Sequence, residues 1–108
     1  GQQTRSFCYV KDTVYGLIKL MHSNYTFPLN IGNSNEITIK KLAYKIKELA
    51  NNNTEVIFKD LPPDDPTRRC PDLTKTQEIL NWTPQVNLVS GLIHTIYYFQ
   101  THLRKNKI

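Results

Sequence analysis

Apolar residues recur at helical spacing in four separate stretches of this chain, and no other feature of the sequence constrains its fold as strongly. The stretches cover residues 12–23, 39–50, 73–80 and 88–103. Spacings of three and four residues place the apolar side chains of each stretch on one face of a helix. Helices of this kind bury that face against a sheet or another helix. The sequence therefore predicts about four helices.

Three short stretches between the helices are rich in β-branched and aromatic residues, which is typical of strands. They cover residues 6–10, 27–31 and 56–58. No internal repeat or long linker divides the chain, so we expect one small α/β domain over residues 1–108, with about four helices and three short strands. The sequence has no glycine-rich turn between a strand and a helix, and we therefore expect the Rossmann core to be absent.

Polar residues stand where the predicted helices begin or end. Asp12, Asp72 and Asn87 precede apolar periodic stretches and are predicted N-caps, because a short oxygen-bearing side chain accepts a free N–H of the first turn, and Thr38 stands directly before the second stretch. Asn81 follows the third helix at a position that favours a left-handed residue. These residues predict the helix boundaries.

A charged segment stiffened by prolines covers residues 64–72 and contains Arg68 and Arg69. Proline fixes its own φ and biases the preceding residue to extended geometry, so the segment presents its arginines from a constrained backbone. One interpretation is an anion site, since a guanidinium group matches phosphate and carboxylate oxygens. The other is a solvated loop whose arginines pair with the three aspartates of the same segment. The residues alone leave both open.

The formal net charge of +5 favours an acidic partner. Its distribution does not favour nucleic acid, because the lysines of the second helix and the basic residues after position 103 are not interleaved with aromatic residues that could stack on bases. The chain has no apolar run long enough to span a membrane and no signal-peptide pattern, so we expect no membrane contact from it.

Catalytic and metal-binding patterns are sparse. Tyr15 and Lys19 match a Tyr-x-x-x-Lys pair, but frequent tyrosine and lysine make a chance match the better interpretation. Cys8 and Cys70 lack partners at metal-binding spacing, and we predict reduced thiols and no metal site. Neither a Ser/His/Asp nor a Cys/His arrangement was found in the sequence. The residues alone therefore show no catalytic constellation.

Several motifs resemble the UDP-glucuronic acid decarboxylases, also called UDP-xylose synthases, which are extended short-chain dehydrogenases/reductases. They are Gln-Thr-Arg-Ser-Phe-Cys-Tyr-Val at 3–10, Gly-Leu-Ile at 16–18, Asn-Ile-Gly-Asn at 30–33, Asp-Asp-Pro-x-x-Arg-x-Pro-Asp at 64–72 and Leu-Asn-Trp-Thr-Pro at 80–84. The resemblance runs in order through nearly the whole chain. It is to the C-terminal third of these enzymes.

The resemblance implies that the chain is the substrate-binding fragment of a larger enzyme. In that family NAD oxidises UDP-glucuronate at C4, the keto acid loses carbon dioxide, and NADH reduces the ketone to give UDP-xylose. The resemblance places no catalytic residue in this chain: the catalytic residues would lie in the N-terminal part, which would also bind most of the NAD, and a homodimer would form through helices outside this chain. The family occurs in the cytoplasm and in the Golgi or ER lumen, of which the cytoplasm is our first choice.

The resemblance also assigns site residues. The family segment that lines the UDP-sugar site matches Gln3, Thr4, Arg5, Ser6 and Phe7, and the arginine that reaches the substrate from the opposite side matches Arg69. Two guanidinium groups on separate segments could clamp a diphosphate and a carboxylate.

Three positions depart from the family pattern, namely Lys11, Cys70 and Asn81. None of them removes an assigned contact, although Cys70 puts in doubt a second cation at the position that follows Arg69. The resemblance further implies that residues 29–31 lie at the edge of a large dinucleotide-binding sheet. Alternatives are another nucleotide-sugar epimerase, dehydratase or decarboxylase, or a non-catalytic binding module that stands alone.

Overall fold

The computed structural model describes residues 1–105 as a small α/β structure, which confirms the predicted fold class. Within these residues four helices accompany one three-stranded sheet. The helices are α1 (Val10–Met21), α2 (Ile39–Leu49), α3 (Thr74–Leu80) and α4 (Leu88–Lys105), and the strands are β1 (Thr4–Ser6), β2 (Glu36–Thr38) and β3 (Arg68–Arg69). Lys107, one of the basic residues after position 103, lies outside the described part.

The sheet has the order β2-β1-β3, with β1 in the middle. β1 pairs with β2 in antiparallel fashion and with β3 in parallel fashion. Each strand has only two or three residues, too few for a recognisable alternation of apolar and polar side chains. This is why the sequence predicts neither β2 nor β3.

The strand predictions were wrong in their positions. Residues 6–10 were predicted as a strand, but β1 covers Thr4–Ser6 and α1 already begins at Val10. Residues 56–58 form no strand among residues 1–105. Neither do residues 27–31, whose expected place at the edge of a larger sheet needs partners outside this chain and stays a prediction. Instead Asn30 is fixed by side chains and backbone of the α3 region, its carbonyl accepting a hydrogen bond from Thr76 Oγ1 at 2.5 Å.

Three of the predicted helix ends are confirmed. Thr38 Oγ1 accepts the N–H of Lys41 at 3.2 Å, and Asn87 Oδ1 accepts the N–H of Ser90 at 2.9 Å. Asn81 ends α3 with φ of 48°, in the left-handed region. Local chemistry thus determines where these helices begin and end.

The two aspartates predicted as N-caps, Asp12 and Asp72, are not at the N-cap positions of α1 and α3. α1 begins two residues before Asp12, whose carboxylate is buried and accepts the N–H groups of Gln85 (3.1 Å) and Val86 (2.9 Å). Asp12 therefore joins α1 to the segment that leads into α4. Asp72 lies one position too early to be the N-cap, but its Oδ1 accepts the N–H of Thr74, the first residue of α3. This hydrogen bond and a second one, from the Thr74 hydroxyl, hold the pKa of Asp72 below its ordinary value.

The best-buried part of the chain lies where α1 meets α3. Leu80 and Trp82 are its buried apolar residues, and the absence of a side chain on Gly16 lets α1 approach them. An added Cβ at Gly16 would lie 2.7 Å from Ile31 Cγ2 and 3.1 Å from Trp82 Cε2. Glycine is therefore required here for close approach and not for an unusual backbone conformation.

Much apolar surface lies outside this core. A self-contained protein of 12.6 kDa exposes about 6200 Å², whereas this chain exposes 8651 Å². Its radius of gyration is 16.6 Å, compared with about 13 Å for a compact domain of this length. The large side chains of α1 and α4 account for part of the excess: Val10, Met21, Ile93 and Tyr97 are all at least half exposed. None of the helices in residues 1–105 has the length and apolar character needed to cross a membrane.

Candidate anion site

The parallel pairing of β1 with β3 places two arginines opposite each other. Arg5 is the register partner of Arg69, and Thr4 is the partner of Arg68. Neighbouring strands lie about 4.8 Å apart, and side chains alternate between the two faces of a sheet. Partners in register share a face, so the side chains of Arg5 and Arg69 stand side by side. The two cations that the sequence predicts to act on one ligand therefore lie together on one face, and not on opposite sides of the ligand as the resemblance implied.

Arg5 is held in place by two oxygen atoms. Its Nη2 donates to Asp65 Oδ1 at 2.5 Å, and its Nη1 donates to the carbonyl of Thr4 at 2.7 Å. The side chain is only 17% exposed. Asp65 is itself fixed by a turn, since its N–H donates to the carbonyl of Pro62 at 3.1 Å. Arg5 is therefore an oriented cation with part of its charge balanced.

Arg69 differs from Arg5 because no carboxylate pairs with it among residues 1–105. It is exposed, and its strand is anchored by a hydrogen bond from the N–H of Thr4 to the carbonyl of Thr67 at 2.9 Å. The Arg5, Asp65 and Arg69 group has two positive charges and one negative charge. One uncompensated positive charge on this face is suited to an anion.

On the opposite face of the sheet, Glu36 binds side chains of the two other strands. Its two carboxylate oxygens accept from Arg68 Nε and Nη2, both at 2.8 Å, and Oε1 also accepts from Thr4 Oγ1 at 2.8 Å. Hydrogen bonds from Arg68 and Thr4 lower the pKa of Glu36 to about 2, and the same carboxylate raises the pKa of Arg68. The solvated-loop interpretation had Arg68 paired with an aspartate of its own segment. In the structure Arg68 pairs with Glu36 instead.

The six predicted site residues are consequently divided. Arg5 and Arg69 share the anion face, whereas Thr4 contacts Glu36 on the other face. Ser6 is the partner of Glu36 in β2, and its buried Oγ has no hydrogen-bond partner in the described part of the chain. The carbonyl of Gln3 accepts the N–H of Ile39 at 3.0 Å and so helps to begin α2.

Phe7, the last predicted site residue, lines an apolar groove of about 640 Å³ between the β1–α1 connection and α4. Tyr9, Leu92 and Phe99 line it as well. The groove also includes Cys8, and both cysteines are free thiols. Sequence reasoning missed Glu36, and it considered Asp65 only as a partner of the arginines in its own segment and not of Arg5. Each contact joins residues at least 32 positions apart and leaves no local signal.

Tyr15 and Lys19 do not form a site of their own. Tyr15 is 62% exposed, and Lys19 Nζ donates to the carbonyls of Leu80 (3.4 Å) and Asn81 (3.0 Å) at the end of α3. A cation at this position complements the negative end of a helix. Lys19 thus has a structural role that explains its position.

The described residues do not fit a dinucleotide or a metal ion. Gly16 and Gly91 lie inside helices against packed side chains, and Gly32 lies beside Pro71, so none forms a phosphate-binding turn between a strand and a helix. Residues 1–105 contain no group of three His, Cys, Asp or Glu side chains that could hold a metal ion.

Solved structures define the class of fold. The UDP-glucose 4-epimerase of Thermotoga maritima, determined with UDP-glucose, matches 95% of this chain with a TM-score of 0.89 and 31% identity. An epimerase of Methanothermobacter thermautotrophicus matches 98% with a TM-score of 0.85 and 28% identity. The chain covers 33% of each of these structures. Its fold is that of one portion of an extended short-chain dehydrogenase/reductase of the epimerase type.

Within this class of fold, the chain is similar in sequence to UDP-glucuronic acid decarboxylases. The chain is 52% identical over 92 residues to UDP-glucuronic acid decarboxylase 3 of Arabidopsis thaliana and 46% identical over 103 residues to UDP-glucuronic acid decarboxylase 1 of Xenopus tropicalis. These matches cover 85% and 95% of the chain, which spans 27% and 24% of the two relatives. No model of a protein family matched the sequence. The resemblance to UDP-glucuronic acid decarboxylase inferred from the motifs is confirmed.

Proposed function

We propose that this chain is the C-terminal, substrate-binding part of an NAD-dependent UDP-glucuronate decarboxylase that makes UDP-xylose. The observation that carries the proposal is the pairing of Arg5 with Arg69 on one face of the sheet. The relatives named UDP-glucuronic acid decarboxylase support the substrate and the reaction. A related fold, the UDP-glucuronic acid 4-epimerase of Bacillus cereus, was solved with UDP-glucuronic acid and NAD.

The chemistry of the two arginines suits this substrate. UDP-glucuronate carries a diphosphate and a carboxylate, and each group can accept two parallel hydrogen bonds from one guanidinium. Like charges on neighbouring strands repel, so a bound anion relieves the repulsion between Arg5 and Arg69. Asp65 fixes the orientation of Arg5 before the ligand arrives, which reduces the entropy lost on binding.

The chain's own contribution is to bind and orient the substrate. NAD, held mainly by residues outside this chain, supplies the oxidation and the return of the hydride. The catalytic acid and base also lie outside residues 1–108. By holding the anionic groups of the substrate, the two arginines fix the sugar in one orientation, and such fixation accelerates a reaction by converting loose encounter into a defined geometry.

Titration of the isotopically labelled chain with UDP and with UDP-glucuronate tests the site directly. We expect amide shifts at Arg5 and Arg69, and a loss of affinity of about 10- to 100-fold in Arg69→Gln, as for a lost charge-assisted hydrogen bond. Arg104→Gln is the matched control, because it makes the same substitution at an exposed arginine near the end of α4. Absence of shifts at both positions with millimolar ligand would contradict the proposal.

A second candidate is a nucleotide-sugar 4-epimerase, favoured by the 31% identity to the Thermotoga maritima enzyme. Product analysis separates the two activities, using the protein expressed from its complete reading frame with UDP-glucuronate and NAD. Release of carbon dioxide with UDP-xylose supports the decarboxylase, and a six-carbon product epimeric at C4 supports the epimerase. A reading frame that encodes no glycine-rich turn or catalytic pair would instead support a stand-alone binding module.

The same proposal extends to assembly and location. The complete enzyme would form a homodimer through helices outside this chain and act in the cytoplasm. Light scattering of the complete protein and fractionation of cells test these two statements separately.

A further inference from the structure

β3 consists of two adjacent arginines, and the register of the strand decides which of them stands beside Arg5. Arg68 and Arg69 carry the same side chain, and consecutive residues of a strand point to opposite faces. A shift of β3 by one residue relative to β1 would exchange their faces. Arg68 would then stand beside Arg5, and Arg69 would face the other way. Something in the fold must select the observed register.

The backbone alone holds β3 weakly. The strand has two residues, Arg68 and Arg69, and within residues 1–105 they pair with Thr4 and Arg5 of β1. Parallel pairing is slightly less stable per residue than antiparallel pairing, and a ladder of two residues contains few hydrogen bonds. The prolines before and after β3 stiffen the segment but do not specify which residue meets Arg5.

Glu36 on β2 contacts the residues that could fix the register of β3. It lies on β2, which is separated from β3 by β1, and yet its carboxylate forms a bidentate pair with Arg68 across the sheet. The same carboxylate accepts from Thr4, the register partner of Arg68. One side chain thus contacts all three strands on the face opposite to Arg5.

We propose that Glu36 sets the register of β3, and that it thereby makes Arg69, and not Arg68, the cation that meets the substrate anion beside Arg5. This role rests on the proposed function of the anion face. Glu36 is a positioning residue, since it acts on the ligand only through Arg68 and the strand. A planar guanidinium held by both carboxylate oxygens cannot turn to the other face without losing both hydrogen bonds.

The carboxyl group of Glu36 stays ionised over a wide pH range, so its pair with Arg68 persists. Hydrogen bonds from Arg68 and Thr4 keep the pKa of this carboxyl at about 2, so it stays ionised at all pH values at which enzymes ordinarily work. Thr4, which the resemblance assigned to the substrate site, contributes from the side of Glu36. In this arrangement one face of the sheet binds the ligand and the other face fixes the strand.

Two readouts test the proposal in the full chain. The first is the contact between β1 and β3, followed by nuclear Overhauser effects between Arg5 and Arg69. The second is the affinity for UDP. In Glu36→Gln we expect the Arg5–Arg69 contacts to weaken and the affinity to fall on the order of tenfold. Glu48→Gln is the matched control, because Glu48 pairs with Lys45 on the exposed side of α2 at 3.1 Å.

A charge exchange separates positioning from general destabilisation. Glu36→Arg combined with Arg68→Glu recreates the pair with its charges reversed, and we expect it to recover the contacts and most of the affinity, which neither single variant does. Glu36→Gln and Arg68→Gln break the same pair, so their effects on affinity should not add. Recovery cannot follow from a loss of folding, and the exchange therefore keeps the test decisive if a single variant unfolds.

The outcomes distinguish this proposal from the proposed function. If the unmodified chain binds UDP, and Glu36→Gln keeps both the contacts and the affinity, the register role is overturned while the anion site stands. If the unmodified chain does not bind UDP, the anion site fails, and the contacts between Arg5 and Arg69 still decide whether Glu36 sets the register.

Discussion

Replacement of Gly16 by alanine tests how α1 packs against the buried part of the chain. The new methyl group would lie 2.7 Å from Ile31 Cγ2 and 3.1 Å from Trp82 Cε2, both closer than ordinary contact. Overpacking of this kind typically costs about 1–3 kcal/mol. Alanine also favours a helix over glycine by about 1 kcal/mol, which offsets part of that loss.

Gly91→Ala provides the matched control, because Gly91 is likewise a buried glycine within a helix. A Cβ there would lie 3.4 Å from Tyr9 Cβ, an ordinary contact. The gain in helix propensity is common to both variants, so the difference between them isolates the packing term. We expect Gly91→Ala to be neutral or stabilising, and Gly16→Ala to be less stable than it by about 1–3 kcal/mol.

Urea denaturation followed by circular dichroism measures this difference in the free energy of unfolding. A thermal scan gives a second measure, with about 4–8 °C expected for each kcal/mol in a domain of this size. Equal stability of the two variants, within about 0.5 kcal/mol, would refute the conclusion that Gly16 is required for the approach of α1 to Trp82.

Two further predictions concern buried and paired carboxylates. Asp12→Ala leaves the N–H groups of Gln85 and Val86 without their acceptor, and we expect the free energy of unfolding in urea to fall by about 3 kcal/mol. Asp12→Asn keeps one acceptor oxygen and should lose less. Equal stability of Asp12→Ala and the unmodified chain would contradict this prediction. The pKa of Glu36 lies at about 2 in the folded chain, below its ordinary value of 4.5, so its contribution is present above about pH 4.5 and disappears as the pH falls toward 2. The stability difference between the unmodified chain and Glu36→Gln, measured from pH 7 to 2, should narrow in that window, and a constant difference would argue against the Arg68 pair as its cause.

Elements with local signals were predictable from the sequence. Thr38, Asn81 and Asn87 mark helix ends because capping depends on residues within one turn. The four apolar stripes gave the number of helices for the same reason. The strands could not be located in this way, because a strand of two or three residues is determined by its partner and not by its own side chains.

The site was predictable to a different extent. Arg5 and Arg69 were assigned through resemblance, and their register explains how they can act together. The partner of Arg5, Asp65, and the partner of Arg68, Glu36, could not be assigned to these arginines in advance. Their contacts depend on tertiary structure, as does the burial of Asp12, which took it from its predicted place as a cap to a connection with the segment before α4.

The central position of β1 has a consequence for folding. The contact between Arg5 and Asp65 closes a loop of 60 residues, for which the loss of chain entropy is about 3–4 kcal/mol. Both halves of the anion face exist only after this loop has closed, so a ligand that contacts both arginines binds the folded chain and not the unfolded one. By linkage, such a ligand at a hundred times its dissociation constant would add about 2.7 kcal/mol to the stability of the fold. A ligand that bridges the two arginines would therefore also stabilise the folded chain.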